Sequence, residues 1–104
     1  MATTSKVLAR TAASTSNATL YTVPNASTTT VVTNIAITNT AASSATATIN
    51  IDGVAILSSV TVAANTTAFI DLKQVIPANA TPKTITGSAS AVTVNFHISG
   101  VEIS

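Results

Sequence analysis

Ala47-Thr48-Ile49-Asn50-Ile51-Asp52-Gly53-Val54-Ala55-Ile56-Leu57 is the stretch whose reading decides the fold. Ala47, Ile49 and Ile51 alternate with Thr46, Thr48 and Asn50, a two-residue period that puts apolar side chains on one side of a strand and polar ones on the other. Asp52-Gly53 follows directly. Both residue types tolerate positive φ, so the chain is expected to reverse in a tight turn and return as Val54–Leu57.

Strand signals extend from this hairpin in both directions. Upstream, Leu20-Tyr21-Thr22-Val23 forms a strand that Pro24 stops, and Pro24–Ser27 reads as a turn. Thr28–Asn39 is the longest β-branched stretch; strict alternation puts Val31, Thr33, Ile35 and Ile37 on one face and Thr30, Val32, Asn34, Ala36 and Thr38 on the other. Ala41–Ser44 is a linker. Downstream, Ser59–Val62 reads as a separate short strand, and Thr66–Leu72 as a strand with Ala68, Ile70 and Leu72 on one face. Lys73–Ile76 reads as a single helical or 3₁₀ turn, Pro77–Pro82 as a loop and Thr84–Ser88 as a weak strand. The last strand is the clearest, with Val92, Val94, Phe96 and Ile98 set against Thr93, Asn95, His97 and Ser99. At Gly100 the phase shifts to Val101 and Ile103, which predicts a β-bulge there. Short strands with frequent turns indicate an all-β fold, a single antiparallel β-sandwich of jelly-roll or immunoglobulin-like type. Its expected core is Val, Ile and Leu with Phe96 and Phe69 as large fillers. Residues 1–17, polar apart from Val7-Leu8, read as an extended N-terminal arm, and residues 18–104 as the sandwich domain.

Composition narrows the function. The chain has 104 residues, no cysteine and one histidine, so disulfides and thiolate metal sites are excluded and oligomerisation is the available route to extra stability. Charged residues make up 7% of the chain, against about 25% in typical domains. Thr, Ser and Asn fill the polar positions. A neutral surface of this kind suits a domain that meets protein neighbours on several sides, although a small secreted β domain would share it. Lys6, Arg10, Lys73 and Lys83 are scattered and aromatics are 3%, which argues against nucleic acid. No apolar run approaches the roughly 18 residues needed to cross a bilayer. Met1–Thr15 lacks the apolar segment of a secretory signal.

The inventory for catalysis is short. A nucleophile needs an oriented base, and His97, mid-strand on a polar face, is the one histidine available. Asp52 is explained by its turn, Asp71 by pairing with Lys73 along the strand, and Glu102 by a lysine or a neighbouring chain. Gly53, Gly87 and Gly100 stand apart from any phosphate-binding motif. Irregular threonine spacing and few aromatics argue against ice and carbohydrate binding. No enzyme activity, cofactor or metal is expected.

Leu20-Tyr21-Thr22-Val23-Pro24, the strand through Asn34-Ile35-Ala36-Ile37-Thr38-Asn39, and the close Val94-Asn95-Phe96-His97-Ile98-Ser99-Gly100-Val101-Glu102-Ile103 resemble segments of small tailed-bacteriophage virion structural proteins. The resemblance runs from about Leu20 to Ser104. It implies a virion component without catalytic residues. Two placements follow: a capsid decoration or cement protein that stabilises the major capsid shell from its outer face, or a neck, tail, baseplate or fibre accessory. A cell-surface adhesin is a further class. The partners would be the major capsid protein or another virion protein, with a homo-oligomer, such as a trimer, expected; neither nucleic acid nor membrane is. Val7, Leu8, Arg10, Tyr21, His97 and Glu102 are the candidate assembly-interface residues.

Overall fold

The Asp52-Gly53 reversal forms as its residues require. φ is +54° at Asp52 and +75° at Gly53, positive at both central positions as in a type I′ turn, and Ile51 faces Val54 across it. In the computed structural model, which describes residues 2–104, this turn joins β4 (Ala45–Ile51) to β5 (Val54–Val62). The other strands are β1 (Thr3–Ala12), β2 (Ala18–Thr22), β3 (Thr29–Asn39), β6 (Thr66–Ile76), β7 (Thr84–Ala89) and β8 (Val94–Ile103). They form two four-stranded sheets, β1-β8-β3-β6 and β2-β7-β4-β5, antiparallel throughout. First pairs with last, second with second-to-last, and so inward to the β4–β5 hairpin. This nesting is a jelly roll rather than an immunoglobulin-like sandwich.

The inner faces supply the core. Ile35 and Ile37 of β3, Ile49 of β4, Ile85 of β7, and Val94, Phe96 and Ile98 of β8 are all buried together. Phe96 is its largest fully buried side chain. Phe69 is instead 74% exposed. The alternation that turns Ala68 and Ile70 inward turns Phe69 outward, so it cannot fill the core.

Several local expectations are corrected. The arm is an edge strand: β1 runs along β8 from Thr3 opposite Ile103 to Ala12 opposite Asn95, and Leu8, Ala9 and Ala13 are buried. Apolar residues beside an open sheet edge find both backbone partners and a core there. Met1 lies outside the described residues. Lys73–Ile76 continues β6 rather than forming a helical turn, since Val75 and Ile76 face Val31 and Thr30 on β3. Val54–Leu57 and Ser59–Val62 are one strand, β5, interrupted by a bulge at Ser58-Ser59, where Ser59 has φ +49° and donates its N–H to Thr48 Oγ1 at 3.0 Å. Val92 precedes β8 in a turn and is 64% exposed.

The bulge expected at Gly100 falls on its neighbours. β8 keeps its alternation, with Gly100 buried and inward, while β1 and β3 each carry an extra residue beside it, Leu8 and Thr33. The faces of β3 therefore exchange at Thr33. Thr30 and Val32 point inward before it, and Ile35, Ile37 and Asn39 after it.

Candidate assembly surfaces

The two outer faces differ in chemistry because the alternating positions of the two sheets were filled differently. On β2-β7-β4-β5 the outward residues include Thr19, Thr22, Thr84, Thr86, Ser88, Thr46, Thr48, Asn50, Thr61 and Ala55, placed side by side by the register. This face is hydroxyl-rich and uncharged. On β1-β8-β3-β6 the outward positions form mixed cross-strand rows. One row runs Arg10, His97, Ala36, Phe69, and another Ser5, Val101, Val31, Val75. Val7, Phe69 and Val75, exposed by 44%, 74% and 59%, all lie on this second face. Stacking of β-branched and aromatic residues on a sheet surface is a cohesive arrangement, and it is uncovered in the isolated chain.

The expected interface residues divide between surface and interior. Val7, Arg10 and His97 lie on the outer face of the first sheet, with Arg10 directly opposite His97. Leu8 and Tyr21 are buried and are spent within the fold. Glu102 is turned inward between the sheets. Tyr21, on β2, donates its hydroxyl to Glu102 Oε2 at 2.5 Å and lies 2.8 Å from the Thr30 hydroxyl. Lys6 Nζ completes the group, 3.2 Å from Glu102 Oε1. Strands β1, β2, β3 and β8 are thus tied at one end by a single polar cluster that bridges the sheets.

Burial, aided by the contact with Glu102, pushes the Tyr21 hydroxyl up to about 12 from its ordinary 10.0. The hydrogen bond from Tyr21, followed by Lys6, holds the Glu102 carboxyl below its ordinary range against opposing desolvation. The signs are opposite in pH. The Tyr21 contribution is complete below pH 10 and lost as pH rises from 10 to about 12, whereas that of Glu102 is present above about 4.5 and lost as pH falls through its lowered value. Tyr21→Phe leaves the Thr30 hydroxyl without its partner and Glu102 with Lys6 alone, and is expected to cost about 1–2 kcal/mol at neutral pH. It should also remove part of the alkaline loss of stability. Thermal melts from pH 7 to 12 check this, and identical alkaline slopes in both proteins would contradict it.

The remaining charges carry little chemistry. Among the described residues the salt bridges are Lys6–Glu102 and Lys83–Asp52, so Asp71 is not paired with Lys73 as expected; it accepts a long hydrogen bond, 3.4 Å, from Asn34. No group of three or more metal-ligating side chains occurs among the described residues. Asn39 is the residue the sequence reading passed over. It is fully buried, and its amide spans three segments at the opposite end of β3 from the Tyr21 cluster. Its signal was present, a lone Asn closing a β-branched strand, but strict alternation assigned position 39 no role.

No protein-family model and no curated protein matches the sequence. Solved structures do match. A chain of the infectious bursal disease virus viral particle aligns at TM-score 0.57 and 11% identity, over 97% of this chain and 30% of that one. The VP2 subviral particle of the same virus aligns at TM-score 0.51 and 15% identity, over 97% and 31%. A looser match, TM-score 0.40 at 12% identity over 97% and 9%, is to dimeric latent PorU from Porphyromonas gingivalis. The likeness is one of fold. This chain spans about 30% of the length of the viral chains it matches.

Proposed function

We propose that the protein is a non-enzymatic structural component of a virus particle, and specifically a capsid decoration or cement protein of a tailed bacteriophage. The observation that carries the reading is the meeting of the two resemblance segments in space. Tyr21, from the Leu20–Pro24 segment, bonds Glu102 from the closing segment, two residues beyond the Gly100 around which β1 and β3 bulge. The two segments that carry the resemblance thus meet across the sandwich, where their contact ties β2 to β8. A jelly-roll likeness to chains of a viral particle and a chain with 7% charge support the same reading. Binding would bury the apolar rows of the β1-β8-β3-β6 face on the shell, with each Å² of apolar area contributing about 25 cal/mol. A neck, tail or baseplate position uses the same surface and is the second reading.

Cryo-electron microscopy of the intact particle tests both. Density at regular lattice positions on the shell is the expected result. Density confined to the tail sinks the cement reading and keeps the virion one, and absence from the particle sinks both. Truncating residues 1–17 is no test of docking, because it removes β1 and its buried Leu8 from the fold.

A further inference from the structure

Strand β6 is a long, uncapped sheet edge. It runs from Thr66 to Ile76 at the end of the order β1-β8-β3-β6, paired on one flank with β3 and open on the other. Such edges pair with other strands unless they are blunted by proline, bulges or repeated charge. No proline lies within β6; Pro77 follows it, and the bulge that β6 does carry, at Leu72-Lys73, leaves Phe69, Asp71, Lys73 and Val75 exposed along the edge. Its outward residues are Thr67, Phe69, Asp71, Lys73 and Val75. Phe69 and Val75 are among the most exposed large apolar residues of the chain. The charges between them, Asp71 and Lys73, make no salt bridge with each other or with the rest of the described residues.

We infer that β6 pairs antiparallel with β6 of a second copy about a two-fold axis at Leu72, joining two four-stranded sheets into one continuous sheet. In this register Asp71 of each copy faces Lys73 of the other, Phe69 faces Val75, and Leu72 faces Leu72. A two-fold contact of two antiparallel strands keeps outward residues opposite outward residues, so only registers shifted in steps of two compete. Moving the axis to Asp71 or to Lys73 sets like charges directly against each other, which destabilises a sheet pair. Moving it further separates the opposite charges from one another. Charge complementarity and the apolar pair thus select the same register. The bulge at Leu72-Lys73 opposite Thr33 increases the local twist, and a two-fold copy brings the same twist to the pairing.

The partner is a second copy of this chain, and the inference rests on the reading of the protein as an assembly component. Its test reads only the purified chain, so it fails or succeeds apart from any result on particles. Sedimentation velocity across a concentration series should show a monomer–dimer equilibrium. Lys73→Asp and Asp71→Lys each oppose like charges and should weaken association about tenfold or more. The combined swap, Asp71→Lys with Lys73→Asp, restores the opposite pairs and should recover the affinity to within about threefold. Both positions are exposed, and melting temperatures near that of the parent would show that folding is intact. A parent chain that stays monomeric overturns the inference and leaves the edge for a different protein's strand. Single variants that dimerise like the parent, or a double swap that stays monomeric, also overturn it.

Discussion

Asn39→Ala is expected to lower stability by about 3 kcal/mol, a large part of the margin of a domain this size. Asn39 is fully buried. Its Nδ2 donates to the Ser43 carbonyl at 2.9 Å and the Val62 carbonyl at 3.2 Å, and its Oδ1 accepts from the Ala41 N–H at 3.1 Å and the Thr93 hydroxyl at 3.3 Å. One side chain therefore holds the β3–β4 loop, the end of β5 and the entry to β8. Truncation leaves backbone groups unpaired where water reaches poorly, at about 1–3 kcal/mol each when no substitute forms. Asn39→Asp separates the two halves of the amide: it keeps the acceptor and replaces the donor with oxygen facing two carbonyls. It should be at least as damaging at neutral pH. In thermal unfolding, 3 kcal/mol corresponds to a drop of about 15 °C. A shift of only a degree or two for both variants would show that these loops are held by something else.

Gly100→Ala is expected to be comparably severe for a different reason. A Cβ at Gly100 would sit 2.3 Å from the Val31 carbonyl oxygen and 2.8 Å from Leu8 Cδ1. The leucine can rotate, but Val31 O belongs to the backbone of β3, which is paired on both flanks. Relieving the contact means separating β8 from β3 at the point where two bulges already meet. Overpacking of this kind costs about 3 kcal/mol. Gly53→Ala is the control, since nothing lies within 4 Å of a Cβ there and only its φ of +75° opposes the change. That strain is about 1–2 kcal/mol. Urea midpoints should therefore place Gly100→Ala well below Gly53→Ala, and the reverse order would refute the account.

The same glycine shows how far the sequence could be read. The shift of apolar residues to Val101 and Ile103 predicts a bulge in the last strand at Gly100, yet β8 runs through it unbroken and the extra residues lie in β1 and β3. Which strand carries it depends on what lies beside Gly100, and neighbours are not written in one strand's alternation. The candidate surface divides likewise. His97 was legible as an outward residue from its strand's period, whereas Val7 and Arg10, read as part of an arm, had no face assigned. Leu8 and Tyr21 were not legible as interior ones, because an apolar pair near a chain end suits an arm and an edge strand equally well. Phe69 follows the period of its own strand outward, and its aromatic character does not override that phase.

Local chemistry alone determined that this chain is all-β, that it reverses at Asp52-Gly53, that its charged residues are few, and that it has no cysteine and a single histidine. Those properties depend on a residue and its near neighbours. The tertiary structure decided the jelly-roll order, the capture of β1 by the edge of β8, the Tyr21–Glu102 bridge and the open edge at β6. Each of these joins residues far apart in the chain, and strands of the same period are interchangeable until packing and backbone pairing choose among them.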